Sequence, residues 1–98
     1  MEQFYFLVQK RIRVEGEDAA KRESVVRRRV CIPYIPPIDM VIDDFVVGQV
    51  RGQSGGLNLS IVAKPIFVES AEDMKKEVRE HLKRGWAEEE SAHPKKRG

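Results

Sequence analysis

Ile32-Pro-Tyr-Ile-Pro-Pro-Ile-Asp-Met-Val-Ile-Asp-Asp-Phe45 divides the chain and decides how the rest of it can fold. The stretch carries three of the five prolines, Pro33, Pro36 and Pro37. Proline has no amide hydrogen to give to a ladder, so none of these positions suits a central strand. Tyr34, Ile35 and Ile38 are expected to cross the end of a sheet in an extended or polyproline conformation. Residues 38–42 suit either a short strand or a single turn.

The segment before this crossing alternates with period two. Phe4, Phe6, Val8, Ile12 and Val14 fall on one face, and Gln3, Tyr5, Gln9, Arg11 and Arg13 on the other. That is a strand signal, with Lys10 and Leu7 as the two exceptions. Residues 24–32 alternate again through Val26, Val30 and Ile32. Between them, residues 15–23 are polar, aperiodic and contain Gly16, which marks a turn or loop. Pairing the two runs so that Val8 faces Val30, Phe6 faces Ile32 and Ile12 faces Val26 sets apolar against apolar. The same register sets Lys10 level with Arg28.

Beyond the crossing, residues 45–51 and 57–63 read as a second hairpin, joined across Gly52-Gln-Ser-Gly-Gly56. Pro65 interrupts the second of these strands, and Ile66, Phe67 and Val68 continue it as an edge or a bulged extension. Ser70 followed by Asp73 resembles a helix-starting capping box. Ala71, Met74, Val78 and Leu82 then recur at helical spacing and are expected to face the sheet. Glu72–Lys76 and Glu80–Arg84 are candidate supporting pairs. Gly85 is a natural stop, Trp86 is expected to fold back onto the sheet, and Ala87 to Gly98 reads as a disordered polar tail.

The expected fold is therefore α+β. A curved antiparallel sheet of four to five strands, or a half-open barrel, carries one C-terminal helix packed on it. Residues 1–86 make a single domain, and 87–98 a tail. The 98 residues are 41% hydrophobic and 35% charged, which suits one small globular domain and argues against disorder of the whole. The formal net charge of +2 is too small to imply a nucleic-acid or membrane partner by itself. Cys31 is the sole cysteine, so no internal disulfide can form. That fits a reducing compartment, and a cytoplasmic location is the expectation. No apolar run approaches membrane-span length, and no membrane partner is expected.

The residues offer four kinds of site. Arg11, Arg13, Arg27 and Arg29 share one sheet face and would suit phosphate, which arginine grips with paired donors. Only Tyr5 is available there to stack a base, and the simpler reading is a solvated face neutralised by Glu15 and Glu23. Asp39, Asp43 and Asp44 could offer oxygen ligands to a divalent cation, but their spacing does not match an EF-hand, and turn formation explains Asp39 and Asp43 better. No metal and no cofactor is expected.

For catalysis the residues are unpromising. His93 lies in the tail, His81 suits a boundary position on the helix, and Cys31 has no histidine near it in sequence. There is no phosphate-cradling Lys-Ser/Thr after a glycine loop, no zinc spacing and no GxSxG. No catalytic residue is assigned, and an enzyme is the less favoured outcome.

Partner binding remains. Tyr5, Leu7 and Val25 lie on the face that a single helix cannot cover, so a second copy of the chain is the simplest partner. A ligand pocket, apolar with a few polar groups, is expected where the crossing meets the sheet end, lined by Tyr34, Ile38, Asp39, Met40, Phe45, Arg51 and Trp86. The sequence thus points to a small non-catalytic binding or interaction module, a homodimer. Its alternative is a nucleic-acid-binding accessory protein using the arginine face.

Overall fold

The computed structural model describes residues 3–16, 23–52 and 59–89. The expectations for most of the 15–23 loop, for the glycine-rich linker, for Leu57 and Asn58 and for residues 90–98, His93 among them, fall outside these residues. The elements run β1 (Phe4–Val14), β2 (Glu23–Ile32), β3 (Val41–Ile42), β4 (Phe45–Arg51), β5 (Leu59–Ala63), β6 (Ile66–Val68), α1 (Ala71–Lys83) and β7 (Ala87–Glu88). The architecture is α+β: a curled, mostly antiparallel half-barrel with the single helix α1 packed on it. Among the described residues seven strand segments contribute, more than the four to five expected, and three of them are only two or three residues long.

The strand order is β3-β4-β5-β1-β2-β7, with β6 also paired to β1. β1 is thus the central strand. It is antiparallel to β2 but parallel to β5 and β6. Phe6 faces Leu59 and Ile12 faces Ile66, so the partner chain takes seven steps where β1 takes six. The extra residue falls at the Lys64-Pro65 break, and β6 is the bulged continuation that the proline implied. A second irregularity lies between Val47 and Gln49, where β4 pairs with β5. A β-carbon on Gly48 would stand 2.8 Å from the Val62 carbonyl oxygen, so the close approach at this bulge needs glycine.

The β1–β2 hairpin is slid by two residues from the register expected. Phe4 faces Ile32, Phe6 faces Val30, Val8 faces Arg28 and Lys10 faces Val26. A two-residue slide keeps every side chain on its own face, so the core is unchanged. It removes the directly opposed pair of cations, because Lys10 and Arg28 now each face a valine.

The ambiguous residues after the prolines resolve into β3, a two-residue strand joined to β4 by a tight turn at Asp43 and Asp44. Asp39 and Asp43 hold φ of 76° and 52°, the left-handed region that aspartate tolerates better than most residues. The inner face of the half-barrel gathers Phe6, Val8, Ile12, Val26, Ile32, Phe45, Val47, Ile61, Ala63, Val78 and Trp86 into one core.

Helix α1 begins as its sequence implied. The Ser70 hydroxyl accepts the Asp73 amide hydrogen at 3.1 Å, and Glu72 and Asp73 lie in the first turn, where the helix dipole favours them. Gly85, at φ 98°, reverses the chain after the last turn. The buried face differs from the one expected. Val78 and His81 are buried, whereas Leu82 is 43% exposed. Trp86 returns to the core beside His81, with ring centroids 5.5 Å apart, and this contact turns the end of the helix toward His81. The first residues of the expected tail are ordered on the sheet. Ala87 and Glu88 pair with Arg27 and Val26, and the Glu89 amide donates to the Val25 carbonyl at 2.8 Å.

These positions separate two substitutions that the sequence pattern would treat alike. Val78→Asp should abolish or nearly abolish cooperative thermal unfolding, because it buries a carboxylate with no partner. Leu82→Asp should cost no more than about 1 kcal/mol, as exposed substitutions do. Equal losses in the two melting curves would contradict the helix orientation.

Candidate functional site

Two places hold the charged residues that could act. The first is inside. Lys10 sits on the inner face of β1 between Val8 and Ile12 and is only 2% exposed. An ammonium group in that position must find acceptors or lose its proton. Its Nζ donates to the backbone carbonyl of Asp44 and lies 5.0 Å from the centre of the Trp86 ring. The Asp44 carboxylate is the hub of the cluster. It accepts from Trp86 Nε1 at 2.8 Å, from Arg84 Nε at 3.0 Å and from Arg28 Nη1 at 3.3 Å. The β3–β4 turn carries Asp44 to this point, and the reversal after α1 carries Arg84 and Trp86.

The electrostatics follow from that arrangement. Burial lowers the Lys10 pKa, and the nearby Asp44 carboxylate opposes the shift without cancelling it. Burial alone would raise the pKa of Asp44. The hydrogen bonds from Trp86 and Arg84, with the charge of Lys10, outweigh burial and hold it below the ordinary value. His81 is 1% exposed, and burial lowers its pKa as well. Its Nδ1 lies 2.8 Å from the Glu77 carbonyl oxygen and must donate to it. Arg84 Nη2 stands 3.4 Å from both ring nitrogens. A second ring proton would therefore add a positive charge beside a guanidinium. Glu77 favours protonation of His81, while Lys10 and Arg84 resist it. Among the described residues, no buried side-chain nitrogen or oxygen lacks a partner. The cluster is therefore closed, and its arrangement suits fixing the turn to the sheet.

The second place is the outer face. Arg11 and Arg13 both reach Glu23, at 3.3 and 2.9 Å, so one carboxylate engages half of the four-arginine face. Arg27 and Arg29 are exposed, and among the described residues no carboxylate pairs with either. Together with Arg28, Leu7, Gly85 and Ala87 they line a shallow cleft of about 390 Å³ along the outer side of β2. Tyr5, 70% exposed, faces Cys31 one pair beyond Leu7 and Arg29. The Cys31 thiol is exposed and donates to Gln3 Oε1 at 3.0 Å. Val25 lies opposite Arg11, at the other end of the hairpin, so Tyr5, Leu7 and Val25 form no single apolar patch.

No protein-family model matches the chain, and no curated protein or solved structure matches it. Its function has to be argued from its own residues.

The pocket expected at the crossing does not assemble. Phe45 and Trp86 are core residues in edge-to-face contact at 6.0 Å. Tyr34 and Ile38 are exposed, and among the described residues the Tyr34 hydroxyl reaches only Met40 Sδ at 3.8 Å. Asp39 pairs with Lys64 on the surface. Arg51 stands at the far end of β4 from Phe45, roughly 20 Å away at the rise of an extended strand. The three aspartates do not converge on one point: Asp39 goes to Lys64, while Asp43 and Asp44 share Arg28, at 3.4 and 3.3 Å. Among the described residues, no group of three or more His, Cys, Asp or Glu could hold a metal ion. Arg84, expected to pair with Glu80, reaches Asp44 instead, and Glu80 meets Lys83.

Sequence reasoning missed the inner cluster, although Lys10 signalled it. A lysine in the apolar phase of a long strand demands an acceptor from elsewhere in the chain.

Two expectations test the cluster. Asp44→Ala should cost about 2–4 kcal/mol in chemical denaturation, because it strips the acceptor from Trp86 and Arg84 and leaves Lys10 buried without a counter-charge. Lys10→Met should leave stability unchanged or raise it, since an apolar side chain of similar length avoids the cost of burying the ammonium. A Lys10→Met loss as large as that of Asp44→Ala would show that the lysine, not the carboxylate, holds the turn.

The second expectation concerns acid. The folded pKa of His81 lies below its unfolded value of about 6.5, so below that pH the unfolded chain binds more protons. Stability should therefore fall as pH drops from 7 through 6.5 toward 5. Asp44 adds to the fall only at still lower pH, beneath its own unfolded value of 3.8. His81→Gln should flatten the denaturant midpoint between pH 7 and 5. A wild-type midpoint that stays level over that range would rule out a neutral, buried His81.

Proposed function

We propose that this chain is a small non-catalytic interaction module that works as a homodimer through the Tyr5 end of its outer sheet face. The observation that carries the reading is the uneven cover of the sheet. Helix α1 and Trp86 close the inner face, while Tyr5 stands 70% exposed on the outer one, beside half-buried Leu7. A large aromatic held out on a stiff central strand is a common anchor of protein contacts. A second copy related by a two-fold axis could cover Tyr5 and Leu7 with the same residues.

The closed inner cluster favours a binding role over a catalytic one. Lys10 and His81, the groups with the chemistry to act as bases, are enclosed and already hydrogen-bonded. The arginine face is weaker support for a nucleic-acid partner than the bare sequence suggested, because Glu23 pairs with both Arg11 and Arg13 and offsets one of their two charges.

Sedimentation equilibrium at low and high salt tests the reading. A dimer at both salts is expected, since an apolar contact is little screened. Tyr5→Glu should shift it to monomer while the circular dichroism stays that of the wild type. A wild-type monomer at both salts would refute the dimer.

A further inference from the structure

The edge of β2 is only partly covered. β7 pairs with Val26 and Arg27, and Trp86, the residue before β7, is turned into the core. Among the described residues, Arg28 to Ile32 have β1 on one side and no strand on the other. The Glu89 amide donates to the Val25 carbonyl, so Val25 directs its backbone groups toward the β7 side. In an antiparallel ladder those groups alternate, and Arg29 and Cys31 share the parity of Val25. Their amide hydrogens and carbonyl oxygens therefore face the open edge. Exposed edges are usually blunted by short length, bulges or covering loops, and this one runs beside a cleft. Gly85, on the wall of that cleft, has open space where a side chain would stand.

We propose that this open edge of β2 takes an acidic, extended segment of another protein as an added strand. The proposal rests on the interaction-module reading but not on the dimer. Charge selects the occupant. Arg29 projects on the outer face at the open edge, with Arg27 two residues along on the same face. A residue paired with Arg29 projects to that same face, so glutamate there meets a guanidinium with no carboxylate partner among the described residues. Inward positions of the added strand lie beside Val30 and Ile32 and suit valine. A second copy joined edge to edge would instead set Arg29 opposite or diagonal to its own image, and like charges at that spacing oppose pairing. Backbone bonds would supply the docking, and alternating glutamate and valine the selection.

The test uses a seven-residue peptide alternating valine and glutamate, blocked at both ends and labelled with fluorescein, titrated with the full chain at 50 mM salt. Saturable anisotropy is expected, with the amide hydrogens of Arg29 and Cys31 exchanging more slowly in the complex. The same peptide with lysine in place of glutamate should not bind. Arg29→Glu, an exposed change that leaves the core alone, should weaken binding at least about tenfold.

Two further peptides need no protein variant. They carry N-methyl groups on the odd or on the even amides. An added strand turns only alternate amides toward its neighbour, so one pattern should abolish binding and the other should spare it.

No saturable binding would overturn the proposal. So would equal binding of both methylated peptides, which would indicate charge attraction without strand pairing. Displacement of the peptide by a ten-nucleotide thymidine oligomer that itself binds more tightly would overturn it in favour of a phosphate surface. The titration uses the wild-type chain in whatever association state it holds, so loss of the dimer and loss of peptide binding are separate results.

Discussion

The Asp44 carboxylate ties together three parts of the chain that no single element connects. It sits in the β3–β4 turn and accepts from the Trp86 indole and the Arg84 guanidinium, both beyond the end of α1. It also meets Arg28 of β2, while the Asp44 backbone carbonyl accepts a hydrogen bond from Lys10 at the centre of β1. Without that acceptor, the inner face of the half-barrel would hold a desolvated cation and an unmatched indole N–H. The half-barrel stays closed at this end because the turn must stay where Lys10 and Trp86 need it.

This dependence explains what could be read from the sequence and what could not. Period-two alternation placed β1 and β2, because strand periodicity is written in neighbouring residues. Ser70 and Gly85 marked the ends of α1 for the same local reason. Pro65 foretold the break between β5 and β6. The hairpin register missed by two residues because alternation specifies the face of a side chain and is silent about a slide of one full period. The orientation of α1 missed at its last turn because the choice between His81 and Leu82 belongs to Trp86, which returns from outside the helix.

The site residues were harder still. The pocket at the crossing was assembled from residues near one another in sequence and of suitable chemistry. The fold sent Phe45 and Trp86 inward, left Tyr34 and Ile38 outside, and carried Arg51 to the far end of its strand. Ion pairing is equally non-local. Glu23 engages two of the four arginines on the outer face, and nothing in the alternation tells Arg11 and Arg13 apart from Arg27 and Arg29. What distinguishes the latter pair is the edge of the sheet, a property of topology that no short window of sequence contains.

The parallel pairing of β1 with β5 and β6 has a consequence for the order of events in folding. β1 ends at Val14 and β2 begins at Glu23, so the two lie close along the chain and can pair early, because bringing near neighbours together costs little chain entropy. The other edge of β1 has to wait, since Phe6 meets Leu59 and Ile12 meets Ile66 across more than fifty residues. A parallel partner cannot be delivered by a tight turn, so the proline crossing and the β3–β4 hairpin must be traversed first. During that interval Phe6, Val8 and Ile12 sit on a strand with one bare edge, the arrangement most prone to pairing with another molecule. The speed at which residues 59–68 reach β1 therefore sets how long each nascent chain remains vulnerable to its neighbours.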